Sequence, residues 1–191
     1  MYINSEKDLE NYICNNITGF ISNIKSEIHE YRDKEIKFLG RQIRIGGQVA
    51  DLVFYYDSNI KLDEFIETEL LERTFIIVEL KYRVCETKDV AQLSKYINLF
   101  NELEYKECCK DLVCQTRGIL IGFDLDENTQ EIEMMLNSIN ENKIEFMKIN
   151  TQCTFSRIAY SHVDEYIENL EIDKRISNLC KEVAVKEDGN I

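Results

Sequence analysis

The stretch Phe75–Tyr82 reads FIIVELKY. Its first four residues are apolar without alternation, the mark of a strand covered on both faces. Glu79 and Lys81 follow at its end, two apart and so on one side of the strand. A carboxylate and an ammonium at the rim of a buried strand are costly to desolvate unless they meet each other, a metal ion or an anion. Chemistry is therefore sought here first, although Glu-x-Lys at a strand end is often only a solvated edge.

Working outward, FLGRQIRI before Gly46 and Gly47 reads as a short strand closed by a glycine turn, and Val49–Tyr56 as a second strand with Asp51 near its start. The segment Asp57–Thr74 is polar and acidic, with Leu62, Phe65, Ile66 and Leu70 at helical spacing. It is expected as an insertion outside the sheet. Downstream, Thr87 is placed to cap a helix from Lys88 to about Leu103 with the stripe Val90, Leu93, Ile97 and Phe100. Arg117–Phe123, RGILIGF, is another doubly buried strand. Strand, helix and strand in that order imply a right-handed crossover that lays this strand parallel to Phe75–Tyr82.

At the N-terminus Ser5 and Asp8 form a capping box for a long helix carrying Leu9, Ile13, Ile17, Ile21, Ile24 and Ile28, with a kink expected at Gly19. Toward the other end, Ile132, Met135, Leu136 and Ile139 mark a helix and Ile144–Ile149 a strand. Cys153–Tyr160 suggests an edge strand, His162–Val183 a final helix, and the chain from Lys186 is expected to fray. The fold class expected is α/β, a mixed central sheet flanked by helices. One domain is expected over residues 1–191, with a core of about residues 5–149 and an extension over residues 150–191.

The composition limits the partners. With 36 acidic against 23 basic residues the net charge is −13, so the average surface repels nucleic acid and anionic membrane, and a polyanion must be met by a local patch. No apolar run has the length of a membrane span and the start lacks a signal-peptide pattern, so a cytoplasmic protein is expected. The seven cysteines form no C-x-x-C pair, which points to reduced thiols. The spacing of Cys108, Cys109 and Cys114 matches no zinc pattern. His29 and His162 are too isolated for a histidine-based hydrolase.

If Val49–Tyr56 pairs antiparallel with Phe75–Tyr82, the start of the first lies beside the end of the second, and Asp51 meets Glu79 and Lys81. Two carboxylates in one pocket repel unless a hard divalent cation lies between them. Mg²⁺ suits one or two carboxylates with waters and phosphate oxygens, and Mn²⁺ can take its place. The lysine can orient a water and balance charge developing at phosphorus. This is a set for phosphodiester hydrolysis, with Asp51, Glu79 and Lys81 catalytic.

These residues resemble the PD-(D/E)xK nucleases, whose motif is matched by Asp51 and Glu79-Leu80-Lys81. SEKDLENYI, GRQIRIGGQVADLVF, IVELK, VAQLSKYI, RGILIG and IEFMKI are similar, in order, to the catalytic domain of the NucS endonucleases over roughly residues 5–149. The resemblance implies a restriction-endonuclease-like core and a metal-dependent nuclease, with Asp51 and Glu79 as metal ligands and Lys81 as the catalytic lysine. It also implies that Glu10 is the additional acidic residue near the metal. Gln92 and Tyr96, four apart on one helical face, match a Q-x-x-x-Y element that lies beside the active site and touches the nucleic acid. In two respects the pattern departs: Ala50 stands where the family has proline, and Asp57–Thr74 lengthens the hairpin. NucS proteins also carry a separate N-terminal DNA-binding domain, which is not expected within these residues.

Two functions follow as expectations. The first is a nuclease, with DNA as the expected substrate, single-stranded, branched or at a strand end. Arg41 and Arg44, with Lys81, Arg83, Lys88 and Lys95, would form a local basic strip, and Tyr96 would offer a stacking face. The second is a catalytically silent nuclease-like scaffold, a regulatory or immunity protein whose acidic surface binds a basic protein. Self-association into a homo-oligomer is open in either case.

Overall fold

The computed structural model describes residues 3–45, 47–63, 66–107, 112–129, 131, 144–150 and 155–158. Its centre is a six-stranded mixed sheet in sequence order. Strands β1 (Lys37–Ile45), β2 (Gln48–Asp63) and β3 (Ile66–Leu80) form an antiparallel meander; β4 (Leu112–Gly122) and β5 (Ile144–Ile149) continue it in parallel, and β6 (Phe155–Ile158) closes it antiparallel. This is an α/β core, a mixed central sheet flanked by helices on both faces.

The uninterrupted apolar run of β3 is used on both faces. Phe75 and Ile77 join one core cluster with Val90, Leu93, Ile97 and Phe100 of α3 (Thr87–Glu107). Ile76, Val78 and Leu80 join a second with Leu9, Ile13, Phe20 and Ile24 from α1 (Glu6–Asn15) and α2 (Ile17–Glu27). Alternation along the strand thus divides consecutive residues between two helical layers. Among the described residues no helix is long and apolar enough to cross a membrane.

The structure corrects three local expectations. The N-terminal helix breaks at Asn16 (φ −135°, ψ 46°) and not at Gly19. A Cβ at Gly19 would lie 2.6 Å from the Asn16 amide, a contact that rotation of that side chain relieves. The segment Asp57–Thr74 is no helix outside the sheet: β2 and β3 run on as a paired ribbon through Asp57↔Arg73 to Asp63↔Ile66. Cross-strand pairing overrides the local helical spacing, because a ribbon satisfies its own backbone groups. Arg73, 3% exposed, anchors its base with Nε and Nη2 at 2.6 and 2.9 Å from the Asp57 carboxylate. At α3 the cap lies one residue before Thr87, where the Glu86 N–H donates to Asp89 Oδ2 at 2.8 Å. Ser5 does cap α1, accepting from the Asp8 N–H at 3.1 Å.

The edge strand expected near Cys153–Tyr160 is β6, Phe155–Ile158, and the rest of that stretch lies outside the described residues. The helix around Ile132–Ile139, the helix at His162–Val183 and the frayed end from Lys186 lie outside the described residues. So do Cys108, Cys109 and His162. Cys14, Cys85 and Cys114 are thiols that form no disulfide.

Beyond β3 the chain is held against the end of β4. Cys85 N–H donates to Asp124 O at 2.7 Å, and Phe123 N–H to Arg83 O at 3.0 Å. Gly122 makes this contact possible, because a Cβ there would sit 2.3 Å from Cys85 Sγ and 3.0 Å from Arg83 O. Burial pushes the Cys85 thiol up to about 12, so it behaves as an inert packing group. Gly122→Ala is expected to lose about 1–3 kcal/mol by overpacking. Adding Cys85→Ala should restore most of that in urea unfolding; a neutral Gly122→Ala would show that the contact is slack.

Candidate active site

The β2–β3 register brings the expected residues together. Leu52 pairs with Val78, so one step further toward the strand ends Asp51 faces Glu79. The Asp51 carboxylate accepts the Leu80 N–H at 2.8 Å. Glu79 Oε1 receives Lys81 Nζ at 2.7 Å, with Glu79 2% and Lys81 8% exposed. Glu79 Oε2 is buried and has no hydrogen-bond partner. An ionised oxygen left so is expensive.

The electrostatics follow from that burial. Desolvation and then the neighbouring Asp51 charge push Glu79 from an ordinary 4.5 to about 8, against the opposing pull of Lys81. Burial likewise raises Asp51, opposed by the Leu80 N–H, Lys81 and Gln42. Burial alone would lower Lys81, but its contacts with Glu79 outweigh it and hold the ammonium charged. The site is short of positive charge, as a pair of carboxylates is without a cation.

Glu10 reaches the same place from α1. One amide nitrogen, Gln42 Nε2, lies 3.0 Å from Glu10 Oε2 and 3.2 Å from Asp51 Oδ1. An open pocket of about 510 Å³ is lined by Glu6, Lys7, Glu10, Asn11, Arg41, Gln42 and Asp51. Among the described residues no three acidic, histidine or cysteine side chains are already gathered as a metal cage. The donor set nonetheless fits a hard divalent cation: Oε2 of Glu79 is buried without a partner, the Asp51 charge acts on the same carboxyl, and all the candidate donors are oxygens.

The nucleic-acid-binding candidates divide. Arg41 lines the pocket, with Nη1 3.1 Å from Asn11 Oδ1 and 3.8 Å from Glu10 Oε1. Arg44 is exposed on β1, at the register position of Val49. Gln92 and Tyr96 stand one turn apart on α3 as expected, with Gln92 Nε2 donating to Tyr96 Oη at 2.6 Å. Tyr96, however, is 1% exposed and belongs to the core, so its ring offers no stacking face. Its hydroxyl donates to Val49 O at 2.9 Å and fixes the start of β2 beside Asp51. The expected basic strip is largely neutralised: Arg83 is tied to Asp89 and Glu86, Lys88 to Glu86, and Lys81 to Glu79.

Tyr96→Phe is therefore expected to cost about 1 kcal/mol, because Val49 O loses its donor and Gln92 its acceptor. Urea unfolding checks this; an unchanged midpoint would mean the tie is slack. Glu6 and Gln42 were not singled out from sequence. Glu6 stands four residues before Glu10 on one helical face, which was a usable signal. Counting the β1–β2 register back from the glycine turn would have set Gln42 opposite Asp51.

No protein-family model and no curated protein matches the chain. Two solved structures are similar to it. One, a repair endonuclease from Pyrococcus abyssi, is 21% identical with a TM-score of 0.46, over 79% of this chain and 49% of that one. The other, an EndoMS-dsDNA2 complex, is 23% identical with a TM-score of 0.33, over 50% of this chain and 31% of that one. The chain thus spans half or less of the length of either of these proteins.

Proposed function

We propose that this chain is a divalent-metal-dependent nuclease that hydrolyses phosphodiester bonds in DNA, with a single strand, a branch or a strand end as substrate. The observation that carries the reading is the buried, partnerless Oε2 of Glu79 beside Asp51, with the Lys81 ammonium 2.7 Å from the same carboxylate. Asp51 and Glu79 would hold Mg²⁺ or Mn²⁺, with Glu10 as a further ligand. When bound, the cation supplies charge neutralisation at phosphorus and lowers the pKa of water. Lys81 orients the attacking water and offsets charge on the phosphoryl oxygens. Lys7 and Arg41 at the pocket rim meet flanking phosphates, and Gln92 and Tyr96 act through the backbone of β2.

Because most basic side chains near the site already face carboxylates, few phosphates are neutralised. Binding should accordingly be modest, with a shallow salt dependence. The same pairing favours the second reading, a silent scaffold whose acidic surface docks a basic protein. The test is cleavage of labelled single-stranded, flapped and duplex DNA and of RNA, with Mg²⁺, Mn²⁺ or chelator, comparing wild type with Asp51→Asn. Metal-dependent product from DNA that vanishes in the variant is expected. No Asp51-sensitive product on any substrate would leave the scaffold reading.

A further inference from the structure

The backbone of Gln42 has φ +51°, in the left-handed region, and it is the one described non-glycine residue with a positive φ. It sits inside strand β1, between Arg41, paired with Leu52, and Ile43, paired with Ala50. A glutamine in this conformation is strained, and such strain persists where the surroundings hold it. Here its side chain spans from the sheet edge into the pocket and divides one amide group between two carboxylates, at 3.0 Å from Glu10 and 3.2 Å from Asp51.

An NH₂ group between two carboxylates is a neutral substitute for a cation. Its hydrogens satisfy one oxygen on each side and reduce their repulsion. It is also an imperfect substitute. Mg²⁺ takes its oxygens at about 2.0–2.1 Å, roughly 1 Å closer than the two contacts Gln42 makes at 3.0 and 3.2 Å, so a cation in place of the amide would need Glu10 and Asp51 nearer to it. A donor nitrogen cannot stay between a cation and its ligands. The geometry points to Gln42 as a gatekeeper of the metal pocket: its amide bridges Glu10 and Asp51, competes with a cation for them, and swings out when the cation binds. This rests on the metal-dependent reading of the site and adds a residue that sets how much divalent cation the protein needs. Gln42 is a positioning residue, since it acts on the ligands and not on the substrate.

The test is Mn²⁺ titration calorimetry on the full chain, wild type against Gln42→Ala and Gln42→Gly, at fixed pH and without nucleic acid. Glycine removes the amide and also relieves the left-handed backbone, so a folding defect cannot account for its result. With two charge-assisted hydrogen bonds no longer competing, both variants should bind Mn²⁺ about tenfold more tightly. The rise in melting temperature on adding Mn²⁺ should grow in the same order. Weaker Mn²⁺ binding in the variants would overturn the proposal by making the amide a ligand through its oxygen. Equal binding would overturn it by making the bridge irrelevant to the metal. If wild type itself binds no Mn²⁺, the metal-dependent reading falls and this proposal with it. Tight wild-type binding with indifferent variants removes this proposal alone.

Discussion

Replacing Glu79 with glutamine is expected to reduce DNA cleavage by about a thousandfold or more, a loss of roughly 4 kcal/mol of transition-state stabilisation, while making the metal-free protein more stable near neutral pH. The second half follows from linkage. In the unfolded chain the Glu79 carboxyl ionises near its ordinary 4.5, whereas in the folded protein it stays protonated until about 8. Between those values the native state holds a proton the unfolded chain has released, so stability falls as pH rises, by about 1.4 kcal/mol per unit. The contribution is complete below the lower value and lost on passing through the upper one. Glu79→Gln has nothing to titrate, and its stability should be flatter across this window. Urea unfolding in chelator over a pH series checks this; parallel curves for the two proteins would show that Glu79 is ionised throughout. Saturating Mn²⁺ should flatten the wild-type curve as well, because it favours the charged carboxylate.

The second large effect is at Lys81. Lys81→Met should abolish cleavage while keeping Mn²⁺ binding, because an ammonium is no metal ligand and acts on charge that develops during reaction. Its stability effect should depend on pH. Above the Glu79 titration near 8, removing the ammonium leaves a buried carboxylate unpaired, and breaking such a pair costs about 3–5 kcal/mol. Below it, Glu79 takes up a proton and the loss shrinks. Combining Lys81→Met with Glu79→Gln should recover most of the loss at high pH, since no uncompensated charge stays buried. A double variant as unstable as Lys81→Met alone would show that the methylene stem, and not the charge, stabilises the native state. Metal binding lost in folded Lys81→Met would count against its assigned role.

Read from the chain alone, the doubly buried strands expected at Phe75–Tyr82 and Arg117–Phe123, which end in the structure at Leu80 and Gly122, were legible, as were the crossover helix between them and the meeting of Asp51, Glu79 and Lys81. Apolar runs and strand parity are local signals, and each of these elements also satisfies its tertiary neighbours, so local and global preferences agree. The Asp57–Thr74 segment was not legible, because its spacing suits a helix and only pairing across the hairpin makes it a ribbon. The same holds for Tyr96. Its place four residues after Gln92 was plain, but a tyrosine beside an apolar stripe can face solvent or core, and only the packing of α3 on the sheet put its ring inside. The Gln42 bridge lay furthest from view. Its left-handed backbone and its amide between Glu10 and Asp51 depend on a helix and two strands that meet only in the folded chain. Residue types and spacing thus determined which groups could do chemistry, and the three-dimensional packing decided which are free to do it, because burial and pairing set each group's charge and reach.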